Sequence, residues 1–397
     1  MISILSESTA PDPALAHPGK GGAQPVTIAL QGGGALGAFS WGVLERLLDE
    51  PRLAIALASG TSAGAMNAAM LVQGLATGGP AEAKALMEKF WRRVAVAAGS
   101  PDLDAGAWLP PFGTLFGPMA EVLRQAAPAL PAGQLATNPL IGVLDGLFDP
   151  GALGRPGSPG LVVAATRVST GEPKLFRDAE ITVDVLLASA CLPQLMPPVE
   201  IDGELYWDGG YASNPPLRPL IEAGSPPDVI LVRTTPQERP DPPRGNAAIR
   251  ARSAELAFGA ALHQELRSLA VARRLIAELP DPPPPGGALD RLRQARLHAI
   301  GAEEAFRALP IGSGLAPPRW DFLCRMRDLG NAAAERWLAD NLSAIGVRAS
   351  LDLAHLAAPL VALPDPPEGD RRPRRQGLRR LLRLGRSNRP ARTRRSG

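Results

Sequence analysis

The chain is poor in the residues that build covalent frameworks and metal centres. It has two cysteines, Cys191 and Cys324, too few for a disulfide framework. Cys191 sits in an apolar segment and reads as a buried, inert thiol. Its four histidines, His17, His263, His298 and His355, are scattered and follow no ligand spacing, so no metal site is expected. No apolar run approaches the ~18 residues of a membrane-spanning helix. The N-terminus has neither the basic region nor the apolar core of a secretory signal. The compartment expected from these absences is the cytoplasm.

Two nucleotide signatures are also missing. The run Gly32-Gly33-Gly34-Ala35-Leu36-Gly37 is not followed by Gly-Lys-Ser/Thr, which excludes a Walker loop. It does satisfy G-x-G-x-x-G at Gly32, Gly34 and Gly37. Yet no acidic residue ends a second strand about 20 residues on, as ribose binding requires. No cofactor is expected.

In place of that acidic residue stands Gly60-Thr61-Ser62-Ala63-Gly64, a G-x-S-x-G pattern. The pattern is weak alone in a chain with 42 glycines, so its surroundings decide. Ile55–Ala58 is a short apolar run that reads as a buried strand, and Ala63–Gln73 is rich in helix formers. Ser62 therefore falls on a strand-to-helix turn, with Gly60 and Gly64 leaving room for a tight backbone. The helix N-terminus turns free N–H groups and positive dipole toward the serine oxygen. The glycine run has similar flanks. Val26–Leu30 reads as a strand and Ala38–Leu48 as a helix, so Gly32, Gly33, Gly34 and Gly37 form a loop able to hold an oxyanion on its N–H groups. Further on, Ile201–Trp207 reads as a hairpin turning at Asp202-Gly203. It delivers Asp208 at a strand end beside Gly209 and Gly210. A nucleophile, a carboxylate and a charge stabiliser are the parts that ester cleavage needs.

These motifs, in this order, resemble the patatin-like phospholipase family. The resemblance runs from Pro25 to Arg233 and includes Ser189-Ala190-Cys191-Leu192-Pro193 and Pro197-Pro198-Val199. It implies an α/β three-layer fold with a central, mostly parallel sheet flanked by helices. It also implies a Ser62–Asp208 dyad without a catalytic histidine, with Gly32, Gly33, Gly34 and Gly37 as the oxyanion loop, acting on a lipid acyl ester. Two positions depart from the family pattern. Gln31 stands where an Asp often precedes the glycines, and Leu36 where an Arg or Lys often lies among them.

Along the chain, residues 1–24 are polar and expected to be disordered. Residues 25–235 form the expected catalytic domain. Within it, residues 99–136 are apolar and irregular, suited to a lid or to loop packing. Leu161–Thr166 and Asp228–Arg233 read as strands and Thr182–Ser189 as a helix. Residues 236–363 are expected to form a mainly helical C-terminal extension. It has one long helix or two over Asn246–Leu279 and one strand at Leu297–Ile300. A tail over 364–397 is distinct. Residues 371–397 hold 12 arginines and no acid, and taking these from the net charge of +3 leaves −9 on residues 1–370. Leu378, Leu381 and Leu382 fall at helical spacing among the arginines. The tail suits an anionic membrane surface or simple solvation. No aromatic residue interleaves it for base stacking, so nucleic acid is not an expected partner. A Ser-Asp-His triad, a polyester substrate and a catalytically silent lipid-binding role remain open alternatives.

Overall fold

The structure, a computed structural model, describes residues 22–100, 138–193 and 195–358. The expected N-terminal arm up to residue 21, most of the expected lid at 101–137 and the basic tail lie outside the described residues. In chain order the regular elements begin with β1 (Gln24–Leu30), α1 (Ala38–Leu48), β2 (Leu53–Thr61), α2 (Ala63–Thr77), α3 (Gly79–Ala97) and α4 (Leu140–Leu144). There follow β3 (Gly160–Arg167), β4 (Pro173–Arg177), α5 (Val183–Ser189), β5 (Val199–Ile201), β6 (Glu204–Asp208), α6 (Arg218–Ala223) and β7 (Asp228–Val232). The last elements are α7 (Asn246–Ala277), α8 (Ala288–Gln294), β8 (Arg296–Ile300), α9 (Glu303–Ala308) and α10 (Trp320–Asn341).

Strands β1, β3 and β7 are apolar runs buried on both faces. That is the pattern of a parallel sheet covered by helices on each side. The strands join in the order β5-β6-β3-β2-β1-β7-β8, with β4 on the other edge of β3. Strands β3, β2, β1, β7 and β8 are parallel, while β4, β5 and β6 add antiparallel pairs. Alternate residues point to opposite layers. Val26, Ile28 and Leu30 of β1 pack with Ile230 and Val232 of β7 under α1, α2, α3, α5 and α10. Ala29, Val229 and Leu231 face α6, α7 and α8. The result is a three-layer α/β fold.

The segment read as a C-terminal extension is part of this sheet. β8 pairs with β7 along its length, from Asp228 opposite Arg296 to Val232 opposite Ile300. Phe306 packs edge-on against Phe39, with ring centroids 5.0 Å apart. The apolar side chains of this segment complete the same cores, and the described residues up to Ala357 form one compact unit. The long helical pattern after Asn246 is one helix, α7.

Register sets up the site. Leu30 lies opposite both Gly60 and Val232, so β1, β2 and β7 end level. The glycine run, the elbow and the segment after Val232 therefore leave the sheet at one edge. β3 does the rest. β2 pairs with it up to Thr61 opposite Ala164, and β6 pairs from Asp208 opposite Ala165. β4 already occupies the other edge of β3 at Ala165 and Thr166. β6 thus takes over the edge that β2 vacates, and Asp208 arrives next to the end of β2.

Candidate active site

Ser62 sits between β2 and α2 with φ +56° and ψ −126°. A non-glycine residue held there costs of order 1–3 kcal/mol. Its carbonyl accepts from the amides of Ala65 (2.9 Å) and Met66 (3.2 Å), which starts α2. The turn is tight because two glycines touch across it. A Cβ on Gly60 would lie 2.3 Å from the backbone of Gly64, and one on Gly64 would lie 2.3 Å from the carbonyl oxygen of Leu30. The Ser62 amide donates to Ser189 Oγ (3.0 Å), whose hydroxyl donates to the Ala164 carbonyl (2.7 Å). Ser189 so ties the elbow to β3. Helix α2 is buried on every side over its first three turns, which fixes the elbow on a rigid support.

Asp208 has no solvent exposure. Its amide donates to the Cys191 carbonyl (2.8 Å), and its carbonyl accepts from Thr166 Oγ1 (2.8 Å). One carboxylate oxygen, Oδ1, accepts from the Gly210 amide (2.8 Å). The other, Oδ2, is buried without a hydrogen-bond partner. Burial raises the carboxyl pKa to about 7, against the lowering effects of the Gly210 amide and the Ser62 hydroxyl. The Ser62 hydroxyl thus acts on the carboxylate as a hydrogen-bond donor, although Oδ2 has no partner of good geometry. Unliganded active sites often hold such a gap. Gly209 and Gly210 allow close approach here, to the Ala164 carbonyl and to the Phe258 ring. Beside the carboxylate, burial and then the charge of Asp208 push the Cys191 thiol up to about 11, leaving it protonated and inert.

The glycine run divides into unlike parts. Gly32, Gly33 and Gly34 line one cavity with Ser62 and Asp208. The Gly32 amide, however, donates to Asn214 Oδ1 at 2.7 Å. It is therefore not a free oxyanion donor, and that expectation is corrected. Gly37 is corrected too. It lies in a 3-10 turn over Gly34–Gly37 outside the cavity, where an added Cβ would lie 2.6 Å from Ala63 Cβ. Its role is close packing of the two helix starts. Gly34 has φ +57° and is crossed by the Gly314 carbonyl.

Two residues outside the sequence motifs hold this loop. Asn214 spans from Gly32 to the Phe258 carbonyl on α7 (3.1 Å). Thr234 Oγ1 donates to the Gly32 carbonyl (3.1 Å), and the Thr234 amide donates to Gln31 Oε1 (2.9 Å). Gln31 at the variant position is thus a buried acceptor. Leu36, the second variant position, lines the cavity and supplies no charge.

The cavity holds about 90 Å³ and is otherwise walled mainly by apolar side chains. They come from α7 (Ala251, Ala254, Phe258) and from the segment Leu309–Leu315. A buried ion pair, Arg239 with Glu255, is also on its wall. None of the described histidines lines it. His298 is held at the far end of β7 by Asp228 (3.1 Å) and by Ser350 (2.9 Å).

A strand–turn–helix elbow carrying a strained serine, beside a buried carboxylate and a glycine loop, in a three-layer α/β fold, is an arrangement chemically suited to acyl transfer. Residues 28–221 match the family described as patatin-like phospholipase, and this match supports a lipid acyl hydrolase in general. Among solved structures, VipD from Legionella pneumophila is similar at 15% identity and a TM-score of 0.31, over 78% of this chain and 67% of that one. Comparison with curated proteins gives no match. Among the described residues, no helix is long and apolar enough to cross a membrane.

Proposed function

We propose that the chain hydrolyses lipid acyl esters through a covalent acyl-enzyme, with Ser62 as nucleophile and Asp208 as its base. The observation that carries this is Asp208 Oδ2. It is a buried, unpartnered carboxylate oxygen with a pKa near 7, beside a serine held in a strained elbow. A base titrating near the working pH combines availability with the drive to accept a proton.

In this reading Asp208 takes the Ser62 hydroxyl proton as Oγ bonds to the acyl carbonyl carbon. The Gly33 and Gly34 amides bind the developing oxyanion, and the start of α2 adds positive dipole. The protonated Asp208 then gives its proton to the leaving alcohol as the ester bond breaks. Water attacks the acyl-enzyme by the reverse sequence, again losing a proton to Asp208 and releasing the acid. The apolar cavity wall suits an acyl chain, in keeping with a phospholipase A or lysophospholipase type of esterase. A histidine triad is disfavoured by the engagement of His298 with Asp228 and Ser350. The arginine-rich tail is proposed to draw the enzyme to anionic membrane surfaces.

Labelling with a fluorophosphonate tests the chemistry. Wild type is expected to label, and both Ser62→Ala and Asp208→Asn to lose labelling while folded. A Ser62→Ala variant that keeps full esterase activity would sink the proposal.

A further inference from the structure

A second cavity, of about 350 Å³, lies against the first and shares Thr235 and Glu255 with it. It is bounded by the segment that leaves β7, from Arg233 to Gln237, and by Arg252, Leu256 and His263 of α7. Its chemistry differs from that of the Ser62 cavity.

Arg233 is the key group. Its side chain is 14% exposed, and the nearest carboxylate, Glu303, is 3.8 Å away. Its Nε is buried without a hydrogen-bond partner. Glu303 has other demands on it, since its oxygens accept from the amides of Gln237 and Glu238 and from Arg307. Burial holds the Arg233 guanidinium below its ordinary pKa, and Glu303 offsets only part of that. The shared-wall carboxylate, Glu255, is bridged by two guanidinium groups, Arg239 at 2.8 Å and Arg252 at 2.7 Å. Arg233 and Arg252 face the single carboxylate Glu255 in the lining of this cavity, so its excess charge is positive. A desolvated cation with an incomplete partner is costly unless an anion completes it. The free donors of a guanidinium match phosphate oxygens.

We propose that this cavity is a phosphate-binding site, with Arg233 as its principal ligand and Arg252 and His263 at its rim. The phosphate belongs either to the headgroup of the lipid substrate, reaching across the wall at Thr235 and Glu255, or to a free phosphorylated compound. The headgroup source rests on the hydrolase reading above, whereas phosphate binding itself does not.

Calorimetry on the full chain with inorganic phosphate and with glycerol 3-phosphate tests the site. Wild type binds both, and Arg233→Gln weakens binding roughly tenfold to a hundredfold, the loss expected for a charge-assisted hydrogen bond. Arg233→Lys recovers part of the affinity. His263→Ala, at an exposed position, gives a second, folded comparison with weaker binding. Steady-state kinetics then separate the sources. With a headgroup site, phosphate competes with a lysophospholipid but not with a neutral nitrophenyl ester, and Arg233→Gln raises KM for the lysophospholipid alone. With a free ligand, phosphate binds and competes with neither. Absence of phosphate binding by folded wild type overturns the site, as does binding that neither Arg233→Gln nor His263→Ala weakens. Ser62→Ala keeps phosphate binding. Should it also keep esterase activity, the hydrolase reading fails and the phosphate site stands.

Discussion

Asp208→Asn is expected to abolish turnover while stabilising the fold, by a margin that grows from nothing below pH ~4 to its full size above pH ~7. The side chain keeps its shape, and its carbonyl oxygen can still accept from the Gly210 amide. What disappears is a charge that burial disfavours. The Asp208 carboxyl moves from an ordinary 3.8 to about 7 in the folded chain, with burial as the largest cause. Three units at about 1.4 kcal/mol each give about 4 kcal/mol. The direction follows from proton binding. Between pH ~4 and ~7 the folded state keeps a proton that the unfolded state has released, so stability falls as pH rises through that window. Below pH ~4 both states are protonated and the substitution gains nothing. Above pH ~7 the full difference is present. For a cooperative unit of roughly 300 residues, about 4 kcal/mol corresponds to a Tm gain of roughly 6 °C. Scanning calorimetry of both proteins at pH 4.5, 6 and 8 reads this directly, with the gap in Tm opening as pH rises. A gap that is the same at all three values, or a wild type more stable than the variant at pH 8, would refute a desolvated Asp208.

Three further outcomes are expected. For wild type acting on a soluble ester, kcat/KM falls tenfold per pH unit below about 7, as protonation of Asp208 removes the acceptor for the Ser62 proton; a profile flat down to pH 5 argues for another base. Asn214→Ala strands the buried Gly32 amide and lowers stability by about 1–3 kcal/mol, and kcat drops with KM little changed; an unaltered kcat in a folded variant shows that the loop holds its shape without this anchor. His298→Ala lowers stability by a similar ~1–3 kcal/mol, since Asp228 and Ser350 lose a buried partner, and leaves turnover intact. Collapse of turnover in that variant, with the fold preserved, would restore the histidine triad.

What could be read from the sequence was local. The helix at Ala38–Leu48 has the same limits in the structure, because its apolar spacing and flanking glycines are contained in the segment. The Asp202-Gly203 turn is equally local, with both residues at positive φ as a two-residue hairpin requires. The elbow follows from Gly60, Ser62 and Gly64 together with the apolar run before them and the helix formers after them. The misreadings arose where a backbone group meets a distant side chain. Nothing within Gly32–Gly34 shows that the first amide is taken by Asn214, 182 residues away, or that Thr234 holds the Gly32 carbonyl from 202 residues away. Ser189 reaches Ser62 over 127 residues. Polar residues of this kind carry no periodicity, and only the edge shared by β1, β2 and β7 brings them together. The mainly helical stretch after residue 236 has its one strand where the sequence pattern places it, at Leu297–Ile300, but a strand that short does not announce which sheet it joins.

The placement of Asp208 explains how the proposed base can be both buried and close to Ser62. A residue at the middle of a strand would have paired strands on both sides. Asp208 instead stands where β2 stops at Ala164 and β6 begins at Ala165, so one flank faces the elbow in place of a paired strand. Its backbone is fully bonded, to Cys191 and Thr166. Its side chain receives a single amide, from Gly210. The Ser62 hydroxyl adds a second lowering effect, and burial outweighs both. Burial of Asp208 is therefore the feature that keeps its carboxyl titrating near neutral pH. The stability it costs is carried by the continuous core beneath α2, which also holds Ser62 in its strained turn.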